Sequence, residues 1–251
     1  MVRFLNVDFL NITKQQLLER IDKGVLITPN VDHLIKLQND KDYYDIVTNA
    51  EWVVCDSRIL YLMSKLTKYP FKEAIPGSSF FSDFYQYHKD DLECKIFLLG
   101  GLDGVAEIAM KNINTRLGRN IVVGAYSPSF GFEVNDEENA SICDMIKESE
   151  ASVVLVGVGC PKQEKWIATY KEKVPSVKLW MALGATIDFE AGSKPRAPKI
   201  FQILCLEWLY RVFQEPRRMF RRVFVDDIKI FAYFTKQLLG RYQNPFGVDK
   251  L

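Results

Sequence analysis

Six short apolar runs, dense in β-branched and aromatic residues, recur between Gly24 and Ala182, each separated from the next by a stretch with helical periodicity. The runs are Gly24–Thr28 (GVLIT), Trp52–Cys55 (WVVC), Lys95–Leu99 (KIFLL), Ile121–Ala125 (IVVGA), Ser152–Val156 (SVVLV) and Lys178–Ala182 (KLWMA). The helical patterns fall at Val31–Asp40, Arg58–Lys65, Val105–Leu117, Asn135–Glu148 and Lys162–Lys173. Alternation of this kind builds βαβ units, whose crossovers hold the strands parallel. A run such as SVVLV is apolar at every position, so both of its faces must be covered. The expected fold is an α/β Rossmann-like, mostly parallel sheet with helices on both faces, followed by a C-terminal helical appendage. The boundary is expected at 194, with a core over 1–194 and an appendage over 195–251.

The change at that boundary is one of charge as well as pattern. The net charge of the 251 residues is only +1, which argues against a dedicated nucleic-acid binder. From Arg196 onward, however, 11 basic residues face 5 acidic ones, a net +6 that leaves −5 on the residues before it. Here prolines 195, 198 and 216 punctuate a mixture of arginines and large aromatics. Arginine interleaved with aromatics suits a helix lying in the headgroup zone of an anionic membrane surface. It also suits capture of a diphosphate, and it equally describes a core-packed helix with a solvated arginine face.

Five widely spaced cysteines with no C-x-x-C pair read as reduced core thiols. The N-terminus carries Asn6, Asp8 and Asn11 where a signal peptide would be apolar, and no run reaches the roughly 20 uncharged residues that span a bilayer. The expected location is therefore cytoplasmic. A homo-oligomer is a possible use for an exposed apolar helical face.

In open parallel sheets ligands bind beyond the C-terminal strand ends, and the residues there are polar or glycine. Thr28 and Asn30 follow the first run and Asp56 the second. A carboxylate at that edge can take a proton from a hydroxyl, with a threonine hydroxyl and an asparagine amide holding a sugar or phosphate oxygen. Asp56 could as well cap the next helix. Gly100-Gly101 and Gly157-x-Gly159, each ahead of a helix, offer backbone amides to an anion, with Gln163 on the first turn beyond Pro161. Neither is a full dinucleotide fingerprint. Asp40-Lys41-Asp42 has the letters of a D-x-D metal motif but falls late in a polar helix, and Asp226-Asp227 lies in the appendage. His33 and His88 form no metal set with sequence neighbours, so neither a metal nor another cofactor is expected.

The ordered blocks TPNVDHL, Asp56 after its strand, KEAIPGS, FLLGG, GVGCPKQEKW, GATIDFEAG, RAP and LEWLYRVFQEPRR resemble the WecG/TagA/CpsF glycosyltransferases, family twenty-six, over nearly the whole chain. The resemblance implies an inverting, metal-independent transfer of a sugar from a UDP-sugar to a polyprenyl-diphosphate-linked sugar acceptor, in bacterial wall-polymer, capsule or exopolysaccharide synthesis. It implies an enzyme peripheral on the inner face of the cell membrane. By position, Asp56 resembles the family's general base, and Thr28, Asn30 and Gln163 its pocket residues. Arg211, Arg218 and Arg221, with Arg196, fall in the arginine-rich segment that meets the membrane and the UDP diphosphate. One departure stands out: the family's arginine ahead of the turn glycine is Ala74 here, with Arg58 and Lys72 nearby. It leaves room for a different donor or acceptor, for weakened activity, and for a second reading, a non-catalytic UDP-sugar or lipid-linked-sugar binding scaffold at the membrane.

Overall fold

A computed structural model describes residues 1–195, 210, 212–213, 216 and 221–247. The chain opens with a hairpin, β1 (Val2–Phe4) and β2 (Val7–Phe9), paired antiparallel from Val2↔Phe9 to Phe4↔Val7. Helix α1 (Lys14–Arg20) follows, closed by a capping box between Thr13 and Gln16. Then come β3 (Gly24–Ile27), α2 (Val31–Lys36), α3 (Lys41–Thr48), β4 (Trp52–Val53), α4 (Arg58–Ser64) and α5 (Gly77–Tyr87). The second half runs β5 (Ile96–Gly100), α6 (Val105–Leu117), β6 (Val122–Tyr126), α7 (Asp136–Glu148), β7 (Val153–Gly157), α8 (Lys162–Tyr170), β8 (Leu179–Ala182) and α9 (Thr186–Ala191).

The six strands from β3 onward form one parallel sheet in the order β4-β3-β8-β7-β5-β6, as the alternating pattern predicts. Successive side chains of each strand feed opposite cores. Val25, Ile27, Val154 and Val156 join one, with the hairpin, α2, α3, α7 and α8. Leu26, Val153, Leu155 and Met181 join the other, with α1, α5, α6 and α9. Loops after β3 and β7 thus turn to one face, and those after β8 and β5 to the other. The strands are in register at one edge, where Ile27 pairs with Ala182, Ala182 with Val156, and Gly100 with Gly157. A crevice opens along that edge between loops that diverge.

Caps decide where several helices begin. The helix expected to run to Asp40 stops at Lys36, and Asp40 instead accepts from Tyr43 N–H and starts α3. Its other oxygen takes Lys165 at 2.7 Å. Asp40 is therefore a helix cap with an ion-pair partner, which explains its spacing to Asp42 without a metal.

The far end of the C-terminal segment returns to the core. Helix α10 (Lys229–Leu238) buries Ile230 and Phe234, and the Phe234 ring stacks on Phe4 at 5.2 Å. Leu5 N–H donates to Gln237 Oε1, Tyr242 donates to Gln38 Oε1 at 2.6 Å, and Asn244 donates to Tyr44. Among the described residues no helix is long and apolar enough to cross a membrane. Phe234→Ala should cost about 3 to 5 kcal/mol of stability, the usual range for an emptied phenylalanine site. Urea denaturation followed by tryptophan fluorescence measures it.

Candidate active site

Glycines set the shape of the rim. A Cβ on Gly100 would stand 2.6 Å from the Gly157 carbonyl oxygen, and a Cβ on Gly157 would stand 2.6 Å from the Gly184 carbonyl oxygen. The ends of β5, β7 and β8 therefore meet backbone to backbone, where no side chain fits. Ser127, in the loop after β6, ties this floor down by donating to Gly100 O and accepting from Ala106 N–H. Gly101 and Gly159 both have positive φ, +79° and +93°, which aims the following loops over the edge.

Gln163 is 1% exposed, so its carboxamide lies inside the rim rather than reaching out from the helix. Its oxygen accepts from Gly159 N–H at 3.2 Å and Gly184 N–H at 3.1 Å, bridging the loops after β7 and β8. Its nitrogen donates to Glu164 at 2.9 Å. Pro161 sits one residue ahead of α8, not inside it.

The structure brings Thr28, Asn30 and Asp56 together at the ends of β3 and β4. Asp56 N–H donates to Pro29 O, and Gly77 N–H donates to Asp56 Oδ1 at 2.8 Å. The cap of α4 is Ser57, which accepts from Leu60 N–H. Asp56 thus turns its carboxylate along the rim toward the first amide of α5. Thr28 is buried against the same turn, its Oγ1 3.0 Å from where a Gly77 Cβ would be. Ala74 is in the strand-like approach to that turn, where Ile75 N–H donates to Cys55 O.

A cluster that the spacing of residues did not reveal lies behind Asn30. One ligand atom each from His33, Cys160 and Glu164 lies within 4.8 Å of the others, which corrects the expectation that His33 belongs to no set of possible metal ligands. His33 is far in the chain from Cys160 and Glu164, which are four residues apart, and it meets them only because α2 and α8 pack on the same sheet face. Their atom types would suit a zinc-class ion. His33 also contacts Asn30 Oδ1 at 2.8 Å through Nδ1, and the Cys160 thiol donates to the Tyr43 hydroxyl at 3.3 Å. None of the four described cysteines is in a disulfide.

Charged side chains join this region to the C-terminal segment. Lys36 donates to Asp32 at 2.8 Å and to Cys160 O at 3.0 Å. Arg222 pairs with Asp32 at 3.5 Å and Asp227 at 3.6 Å. Burial pushes the Asp227 carboxyl up to about 6, with Arg222 pulling against it. Arg221 is exposed beside them, whereas Arg196, Arg211 and Arg218 lie outside the described residues. Gly157→Ala should cost about 1 to 3 kcal/mol, as overpacking against fixed backbone does, by chemical denaturation. An equal cost for alanine at Gly247, where the nearest atom would be 3.9 Å away and the backbone is not left-handed, would deny the close approach its importance.

The family model of the glycosyl transferase WecG/TagA/CpsF family matches residues 2–244. The chain is 29% identical over 241 residues to the N-acetylglucosaminyldiphosphoundecaprenol N-acetyl-beta-D-mannosaminyltransferases of Staphylococcus aureus strains MW2 and MRSA252. Those alignments cover 92% of this chain and 91% of each relative. Because the family match begins in β1 and ends past α10, it takes in the sheet, its rim and the returning helix together, and the chain belongs to the WecG/TagA/CpsF family of glycosyltransferases.

Proposed function

We propose that this glycosyltransferase moves an N-acetylated amino sugar from a UDP-sugar to a polyprenyl-diphosphate-linked N-acetylglucosamine in wall-polymer synthesis, with inversion and without a metal ion. The observation that carries the reading is the Asp56 carboxylate, held by Gly77 N–H at the rim next to Thr28 and Asn30. It is supported by likeness across 92% of the chain to relatives named for such a transfer.

Asp56 takes the proton from the acceptor hydroxyl as that oxygen attacks the anomeric carbon on the face opposite the diphosphate. The bond to UDP breaks in the same displacement, which inverts the anomeric centre. Charge growing on the diphosphate is met by free amides of the loops that Gly100, Gly101, Gly157 and Gly159 shape, other than the Gly159 N–H that Gln163 holds, and by Arg196, Arg211, Arg218 and Arg221. Thr28 and Asn30 orient the sugar. Gln163 acts through the loops it bridges, by keeping their amides in place.

Asp56→Asn should lower kcat by on the order of 10² to 10⁴, the usual worth of a positioned base, while calorimetry still shows UDP binding. Normal turnover by that variant would sink the role of Asp56. If the wild-type chain binds UDP but transfers nothing over a panel of donors and lipid-linked acceptors, Ala74 marks a binding scaffold instead.

The enzyme acts at the inner face of the cell membrane through its C-terminal segment. Supporting this, Ile228 and Phe231 are 52% and 56% exposed next to Arg221 and Lys229. Removing everything from Arg196 would also strip α10 from the hairpin, so point changes give the cleaner test. Ile228→Ser with Phe231→Ser should reduce flotation with phosphatidylglycerol vesicles and leave the thermal melt unchanged. Undiminished flotation would count against this surface.

A further inference from the structure

The three side chains behind Asn30 take no part in the transfer proposed above, and their hydrogen bonds leave donor atoms turned on one another. Asn30 Oδ1 caps α2 by accepting the His33 backbone N–H, and His33 Nδ1 lies 2.8 Å from the same oxygen. An amide oxygen only accepts, so Nδ1 carries the ring hydrogen and the neutral ring keeps its lone pair on Nε2. Nε2 is 3.6 Å from Glu164 Oε1. Glu164 is fully buried, and its one ion-pair contact among the described residues is that ring. Its Oε1 accepts from Gln163 Nε2 at 2.9 Å, whereas its Oε2 has no hydrogen-bond partner among the described residues. A buried carboxylate so poorly met is costly. Cys160, four residues before Glu164, brings a half-buried thiol to the same place.

We propose that His33 Nε2, Cys160 Sγ and the Glu164 carboxylate bind one zinc-class divalent ion, which clamps α2 to the start of α8. One neutral imidazole, one thiolate and one carboxylate cancel the two charges of the ion, so the assembly is neutral, as an interior demands. A thiolate beside an imidazole selects zinc over magnesium or calcium. A tetrahedral zinc ion holds its nitrogen, oxygen and sulfur ligands about 3.4 to 3.6 Å from one another. The His33–Glu164 separation is already 3.6 Å and all three atoms lie within 4.8 Å, so closing on an ion takes side-chain shifts on the order of 1 Å. Three protein ligands leave the fourth corner to water, and binding releases the Cys160 proton to solvent.

Each ligand also has the outer hydrogen-bond partner by which metal ligands are oriented. Asn30 Oδ1 holds the His33 Nδ1 hydrogen, Gln163 Nε2 donates to Glu164, and the Tyr43 hydroxyl accepts from the Cys160 thiol at 3.3 Å. A hydroxyl can donate as well as accept, so Tyr43 can turn its hydrogen to the thiolate without moving its buried ring. Lys36 of α2 donates to Cys160 O at 3.0 Å and holds the loop against the helix that carries His33. None of the three ligands is assigned to the substrate, so the ion site stands whether or not the chain transfers a sugar.

The untagged full-length chain, kept reduced by a phosphine and dialysed against a chelator, should take up one equivalent of zinc at micromolar concentration, measured by atomic emission. Cobalt(II) in its place reads the ligand set. It should give a sulfur-to-cobalt charge-transfer band in the near ultraviolet and the strong visible bands of a tetrahedral ion. Cys160→Ser should remove the charge-transfer band, whereas Cys143→Ser, at a buried thiol outside the set, should keep it. Tyr43→Phe, which removes only an outer partner, should weaken zinc binding about 10- to 100-fold, and Cys160→Ser should weaken it more. In the unaltered chain, zinc should slow alkylation of Cys160 by iodoacetamide, read by peptide mass spectrometry, which keeps the test independent of how well any variant folds. No zinc retained at micromolar concentration overturns the proposal. So does a cobalt spectrum without the sulfur band, zinc uptake unaffected by Cys160→Ser, or Cys160 alkylated as fast with zinc as without it.

Discussion

The rim depends on how closely three strand ends approach. Where Gly100, Gly157 and Gly184 meet, carbonyl oxygen stands where a side chain would have to be, so the ends of β5, β7 and β8 form a continuous backbone surface. That surface is made of peptide groups instead of side chains, and the proposed diphosphate site is built on the amides of the loops beyond it. Gln163 completes it from beneath by linking the loops after β7 and β8. The proposed base lies at the other end of the crevice, past β3 and β4, where the Asp56 carboxylate is steered by an amide of α5.

Much of this was legible in the amino-acid order because apolar strands are conspicuous and the rim follows from where they end. Each of the six strands was expected within a few residues of its position, and Thr28, Asn30 and Asp56 were expected at one edge for that reason alone. Other elements escaped. The hairpin strands have three residues each, too few to show a period. Helix α5 begins at Pro76-Gly77 and continues through serines and aromatics, a composition that reads as a turn leading into a strand. A cap can also sit one residue from where it is looked for, as Ser57 and Asp56 do.

The cluster around His33 was hidden for a different reason. Its members come from α2, α8 and the loop between β7 and α8, and nothing local in the chain announces that these will face one another. A polar residue on an otherwise apolar helix face is the only sequence trace, and many satisfied core residues leave the same trace. Glu164 in particular sits next to Gln163 in a polar stretch and reads as solvated, whereas its side chain is fully buried. Packing places an ordinary acidic residue in the interior beside a histidine and a cysteine.

The docking of α10 on the hairpin makes the chain a closed circuit. Lys194 is bonded to Asp188 at one end of the basic segment, and Phe234 stacks on Phe4 at the other. The chain that carries the arginines is held to the core on both sides, so their local concentration near the core is set by the length of chain between the anchors and not by the amount of protein present. A basic tail tied at one end could leave for any anionic surface in reach. A segment tied at both ends must bring the rest of the chain with it.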